Sequence, residues 1–399
     1  MFESIQIGSF RSIQNATLDH LGHLTVLAGK NGAGKTNILK CIQWVASAAA
    51  TAGRRDSLLT EISPKVTVSC RVEGVRYVYV VETVVAPPLG EPGQPSFKPG
   101  FVKLVEALSA TDQGGMFHQL IRRDGDEFFL GFDATAKIDA SAPAISAALS
   151  LFPGHPMAQM IFMFADFMRR VKYYPMEERS NPGSPPFISG TDYEAWRAGR
   201  HEPRDPDEEL NFKLLHLRLW KPDKFEEFKE LIAGNGLRLI SDLQLHTLPV
   251  NLPSANGVNE LSNYYIFNYL MEGDRAAERQ LTFNALSFGT RRVVRLLVAI
   301  LYDEASVYLV EQPEDGIHPG LLGRIFPLIR SYSEPAQFLI ATHSPEILNR
   351  SNPQEIRLID MVKGWTTIYP LSLEEIKKAN QYISDEGPLT DFLRSLLER

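Results

Sequence analysis

The run Gly29-Lys30-Asn31-Gly32-Ala33-Gly34-Lys35-Thr36 has the spacing of a loop that wraps a nucleotide phosphate. Glycines let the backbone turn successive N–H groups inward, an ammonium supplies a point charge for the outer phosphates, and a hydroxyl one residue on is placed for Mg2+. Lys35 is read as a solvent-reaching ligand of the β- and γ-phosphates and Thr36 as a metal ligand; the helix entered through Asn37 directs its positive N-terminal end at the same anion. Three further groups could add chemistry. Glu311, Gln312 and Glu314 follow the apolar run Val307-Tyr308-Leu309-Val310, where a phosphate-loop protein holds its metal and attacking water. Ser287 and Gly289, upstream of Glu311, lie in Leu286-Ser287-Phe288-Gly289-Thr290 at the start of an apolar helix. His343, downstream of Glu311, lies in Thr342-His343-Ser344-Pro345 after a second apolar run. Taken singly, a buried strand with a polar turn, a serine cap and a surface histidine would account for these three. Their order relative to the loop points to one site.

Such a loop needs a strand before it and a helix after it. Leu24-Thr25-Val26-Leu27-Ala28 is a short apolar run entering Gly29, and Ile38, Cys41, Ile42 and Val45 fall on one helical face. Residues 64–130 read as β structure with a turn at Glu73-Gly74, and Pro87 to Gly100 as a loop. The stretch 140–280 reads as a mainly helical insertion: helices over Met157–Val171 and Phe225–Ala233, a loop at Asn181–Pro186, a charge run over 198–210. From 281 an α/β rhythm returns, with a helix carrying Val293, Val294, Leu297 and Ile300, a strand at 307–310, a helix near 320–332 and a strand at Phe338–Ala341. A hairpin over Ile356–Tyr369 turns near Lys363-Gly364, and two short helices follow from Leu373. Strands alternating with helices predict a mostly parallel sheet. The expected divisions are 1–139, 140–280, 281–371 and 372–399. No repeat or sustained heptad pattern is present, so no long coiled-coil arm is expected.

Composition narrows the setting. With 399 residues, 44% hydrophobic and 22% charged, the chain is globular and long enough for two to three domains of about 150 residues. Two cysteines, Cys41 and Cys70, are too few for a disulfide framework and fit a reducing, cytoplasmic compartment. No signal peptide opens the sequence, and the apolar stretch Val293–Tyr302, broken by Arg295, is too short to span a bilayer. The 41 basic and 48 acidic residues give a net charge of −7, so DNA contact would have to come from a local patch. Arg169-Arg170 with Lys172, and Arg291-Arg292 with Arg295, are such clusters, although solvated helix faces explain them more simply. The run His201–Glu209 is a weaker candidate for a metal site than for a solvated loop, and Tyr173-Tyr174 and Tyr264-Tyr265 read as packing.

These motifs together resemble an ABC-type ATPase head of the branch that includes SMC proteins, RecF and the OLD-like ATPases. Phe10-Arg11-Ser12-Ile13 resembles the opening of that branch, Gly29 to Asn37 its Walker A motif, and Leu286 to Thr290 its signature. Val307 to Pro319 resembles its Walker B strand and D-loop, and Thr342 to Pro345 its histidine switch. The resemblance is good over 1–130 and 281–371 and poor between them. It implies an α/β head with mixed sheets around a phosphate-loop core, ATP and Mg2+ as ligands, and a homo-oligomer in which two heads pack head-to-tail. Ser287 and Gly289 would then act in trans on the ATP of a second copy. Arg11 is a candidate nucleotide contact from the same subunit; the family's Q-loop glutamine has no clear counterpart, Gln94 lying in a Pro/Gly loop.

One departure matters. The family carries two acidic residues in succession after the Walker B strand. Glu311 fills the metal-side position, but Gln312 stands where a proton-accepting glutamate belongs. Three readings are open: slow hydrolysis, substitution by Glu314, or a glutamine engineered to trap ATP. No room for a nuclease domain remains after the hairpin, so the resemblance implies a regulatory ATPase working on a separate effector, a nuclease or toxin, in bacterial anti-phage defence. The alternative is a RecF-type DNA-maintenance ATPase that clamps DNA in its ATP state.

Overall fold

The computed structural model describes residues 1–50, 64–85, 102–139, 142–175, 185–234, 236–253, 259–271, 279–334 and 336–397. The expected loop at Pro87–Gly100, with Gln94, and residues 181–184 lie outside these. The chain divides into two compact units: one takes Met1–Pro175, Ala305–Gln312 and Ile329–Arg399, the other Met176–Glu304 and Pro313–Leu328.

The first unit is built on a sheet of fourteen strands among the described residues. Five lie parallel, in the order β10 (Val171–Pro175), β15 (Val307–Glu311), β16 (Gln337–Thr342), β3 (Leu24–Ala28) and β17 (Ile356–Val362). β3 and β16 are buried at every position, as central strands covered on both faces must be, which is why each reads as an apolar run without alternation. β18 (Trp365–Pro370) turns back from β17 through Lys363 and Gly364, both left-handed at φ 52° and 84°. Beyond it follow β2 (Ile13–Leu18), β1 (Phe2–Phe10), β4 (Lys65–Val72), β5 (Val75–Val85), β6 (Val102–Thr111), β7 (Phe117–Asp124), β8 (Glu127–Leu130) and β9 (Ala134–Lys137). The sheet is therefore mixed rather than mostly parallel. Two-residue turns such as Glu73-Gly74, with φ 48° and 83°, reverse the chain at once and force antiparallel neighbours.

The helices α1 (Lys35–Ala50), α2 (Ala144–Leu151) and α3 (Ala158–Arg169) share one apolar core with this sheet. Ile38, Cys41, Ile42 and Val45 of α1 are its buried stripe, and Phe164 of α3 packs at 5.4 Å on both Tyr77 and Tyr79 of β5. The helix expected to reach Val171 stops at Arg169, because Val171 opens β10 and pairs with Val307. In the chain, α8 (Pro319–Tyr332) stands between β15 and β16, α9 (Pro345–Leu348) follows β16, and α10 (Leu373–Asp385) and α11 (Leu389–Leu397) close the sequence as expected.

The second unit holds α4 (Gly190–Arg197), α5 (Pro206–Trp220), α6 (Pro222–Ile232) and α7 (Phe288–Asp303). Beside these helices stands an antiparallel sheet that the sequence did not announce: β11 (Phe187–Ser189), β12 (Asp242–Pro253), β13 (Asn259–Met271) and β14 (Arg279–Leu281). Pro249 and Pro253 interrupt the strand pattern of β12, and the sheet tolerates them because β12 is an edge strand.

Candidate functional site

The glycine-rich loop leaves β3 and enters α1, as its sequence requires. Two of its glycines are fixed by what they touch. A Cβ on Gly29 would lie 2.2 Å from the Ile359 carbonyl oxygen, and one on Gly34, at φ 103°, would lie 2.0 Å from Thr366 Oγ1. The loop is thus moulded against the β17–β18 hairpin. Lys35 is 6% exposed, not solvent-reaching. Its ammonium donates to the carbonyls of Gly29 at 2.7 Å and Lys30 at 2.9 Å, the acceptors that a buried cation needs. Ala33 N–H also donates to Lys30 O, at 3.2 Å. Arg11, left-handed at φ 49°, reaches Asn37 Oδ1 at 3.4 Å. Asn37 in turn donates to Ser12 Oγ at 2.7 Å, and Ser12 Oγ lies 2.8 Å from Thr366 Oγ1.

Glu311 ends β15, and its carboxylate is held from two sides: Thr36 Oγ1 donates to Oε1 and Tyr173 Oη donates to Oε2. Residues 275 positions apart in the chain therefore meet at the loop. Gln312, next along, is left-handed at φ 45°, a conformation that costs a non-glycine residue about 1 kcal/mol. It is held there by its N–H donating to Ala341 O at 2.8 Å. The turn aims its side-chain amide at His343, whose Nδ1 lies 3.4 Å from Gln312 Nε2. Between loop and strand end lies a cleft of about 280 Å³, lined by Asn31, Gly32, Lys35, Thr36, Glu311 and Gln312 among others. Thr36 and Glu311 set two hard oxygen donors at one point on its wall, the donor class that suits Mg2+. Among the described residues no cluster of three or more His, Cys, Asp or Glu could hold a metal, so Mg2+ would arrive with phosphates completing its shell.

The remaining expected residues sit on the second unit. Ser287 is exposed and caps α7, its Oγ accepting from Thr290 N–H at 3.2 Å. A Cβ on Gly289 would meet Gly316 O at 2.7 Å, so the first turn of α7 packs against the turn that holds Glu314, whose carbonyl accepts from Ile317 N–H. Arg292 secures the same turn by donating to Asp315 O at 2.5 Å. Glu314 thus belongs to this unit, while Glu311 and Gln312 belong to the other. The arginines of α7 are not a solvated face: Arg292 is buried, and Arg295 pairs with buried Asp207 of α5. The run His201–Glu209 is half loop and half helix, α5 starting at Pro206 under the Asp205 cap. Tyr174 packs on Tyr308 at 5.8 Å as expected, but Tyr173 goes to Glu311. Strand alternation could have separated the two tyrosines, had β10 been identified beside β15.

Two family models match the chain. Residues 4–82 match one described as "AAA domain", and residues 179–349 match one described as "AAA domain, putative AbiEii toxin, Type IV TA system". The two matches take in the loop-bearing start and the stretch that holds Glu311 and His343. No curated protein matches the chain significantly. Solved structures similar to it include an Smc head bound to the C-winged helix domain of ScpA, at 14% identity over 94% of this chain and 99% of that one, with a TM-score of 0.46. The SMC head domain from Thermotoga maritima matches at 15% identity over 93% and 99%, TM-score 0.42. An Smc head with an extended coiled coil, bound to the C-terminal domain of ScpA derived from Pyrococcus furiosus, matches at 13% over 96% and 99%, TM-score 0.43. No helix among the described residues is long and apolar enough to cross a membrane.

Proposed function

We propose that this chain is an ATP-binding and ATP-hydrolysing regulatory subunit of the OLD-like kind, which closes head-to-tail on a second copy around ATP and governs a separate nuclease or toxin in antiviral defence. One observation carries the reading: Thr36, directly after Lys35, and Glu311, at the end of a strand far along the chain, meet on one wall of a cleft. In that cleft the loop N–H groups and Lys35 bind the β- and γ-phosphates, the ammonium exchanging its two carbonyl partners for phosphate oxygens. Thr36 and Glu311 would hold Mg2+, which when bound neutralises charge between the outer phosphates. Gln312, hydrogen-bonded beside His343, orients water without taking its proton, so turnover is slow. Ser287 and Gly289, at an exposed helix start, are suited to meet the γ-phosphate held by another copy. The effector and its setting are supported by the toxin–antitoxin description of the AAA model that matches residues 179–349.

The test is nucleotide binding and assembly. Lys35→Ala, shown folded by circular dichroism, should lose ATP binding; retained affinity would end the assignment. Mass measurements should show ATP-promoted self-association that Ser287→Arg blocks, and a chain monomeric with and without ATP would refute the head-to-tail model. ATP-dependent retention on DNA, weakening steeply with salt, would favour a DNA-clamping ATPase instead.

A further inference from the structure

Tyr173 stands on the edge strand of the parallel sheet, with no motif around it. Its position follows from register. β10 runs parallel to β15, with Tyr173 opposite Leu309, Tyr174 opposite Val310 and Pro175 opposite Glu311. Side chains of a strand alternate between faces, so Tyr173 shares a face with Leu309 and Glu311, while Tyr174 takes the other. The contacts agree: Tyr174 stacks on Tyr308, and the Tyr173 hydroxyl donates to Glu311 Oε2. The opposite oxygen, Oε1, is bound by Thr36. The two bonds differ in kind. Thr36 and Glu311 Oε1 are the pair that would face a bound Mg2+, so their mutual bond must open for both to become ligands. The tyrosine bond is on the far oxygen and has no reason to open. A ligating carboxylate whose second oxygen is pinned presents the first in one orientation.

We propose that Tyr173 is a positioning residue for the Mg2+–ATP site, holding Glu311 Oε2 so that Oε1 keeps one orientation, beside the Thr36 hydroxyl, in which both oxygens would meet the metal. The inference rests on the ATP-binding reading above and deepens it. It assigns the strand before the second unit a part in metal binding.

The experiment compares ATP affinity, read with a fluorescent ATP analogue, in EDTA and across a Mg2+ titration. Tyr173→Phe keeps the ring and deletes only the donor. It should leave affinity in EDTA unchanged and shift the Mg2+ midpoint for tight binding upward by about ten- to a hundredfold, the usual effect of losing a group that orients a metal ligand. Tyr174→Phe, on the opposite face, should leave the midpoint where it is. An unchanged midpoint in Tyr173→Phe would overturn the proposal, as would an equal loss of affinity with and without Mg2+, which would mark a structural role only. Absence of ATP binding by the unaltered chain would remove the underlying reading first, and is told apart because it precedes any variant.

Discussion

Two glutamate–tyrosine pairs lie on the two halves of the large sheet. On the antiparallel side, Glu106 of β6 takes Tyr79 Oη at 3.1 Å and Arg123 Nη1 at 2.9 Å, with Ala144 N–H at 3.4 Å. Arg123, fully buried, also donates to the carbonyls of Gly125, Asp139 and Ala142. Burial and the neighbouring carboxylate push the Tyr79 hydroxyl well above its usual range. On the parallel side, Glu311 takes Tyr173 and Thr36 and borders a cleft. The first pair is buried, with its charges matched and most of its donors bonded. The second leaves one of its partners, the threonine, replaceable. The difference between them is exchangeability: a buried ion pair bonded on several sides fixes structure, whereas a carboxylate sharing a hydroxyl at an open edge can change partner.

The sharpest way to test the open side is Gln312→Glu. A carboxylate at this turn can take the water's proton, and restoring a general base should raise steady-state ATP turnover by about a hundredfold to ten-thousandfold. Equal rates in the two proteins would move the base to Glu314, and deleting Glu314 from the glutamine protein would then abolish what remains. On the sealed side, Arg123→Ala leaves Glu106 as an uncompensated buried charge and should lower the unfolding free energy by about 3–5 kcal/mol in urea titrations. A loss below about 1 kcal/mol would mean that the pair is not closed to water. Glu311→Gln should cost only about 1 kcal/mol, because one of its two hydroxyl donors loses its acceptor, while Mg2+-dependent ATP binding is lost. A stability loss as large as that of Arg123→Ala would erase the contrast. The smallest effect is expected of the thiols. Burial pushes Cys41 and Cys70 up, Cys70 to about 12, so Ellman's reagent at pH 8 should modify neither until denaturant is added.

What could be read from the sequence was what is local. The strand Leu24–Ala28, the loop and the helix stripe of α1 follow one another directly in the chain, and each carries its own pattern of glycines or apolar spacing. The same holds for β15 and Glu311, and for the turn at Lys363-Gly364. Tyr173 carries no such signal, because its role depends on β10 pairing with β15, a strand that arrives only after the whole of α4 to α7 has intervened. Arg292 and Arg295 look solvated in the sequence for a related reason. α7 is buried along most of its length, so a basic cluster that resembles a free face donates inward to Asp315 O and Asp207. The motif marks Lys35 as a candidate ligand, but nothing in the sequence signals that its ammonium is buried against the carbonyls of Gly29 and Lys30.

The pairing of β3 also has a consequence for how the protein is made. Both neighbours of this strand, β16 and β17, come from the stretch between Gln337 and Val362. The antiparallel strands β1, β2 and β4 through β9 all lie between Phe2 and Lys137 and can pair as they emerge. At a ribosomal pace of about 5–20 residues per second, β3 waits roughly 15 to 60 seconds for its partners, an apolar ribbon with both edges bare. The glycine-rich loop waits with it, because Gly34 takes its shape against Thr366. A stalled or truncated chain would therefore offer chaperones and proteases an unpaired strand and no phosphate cradle. Nucleotide binding at this loop would then report that residues 337–366 have been made and have closed the sheet.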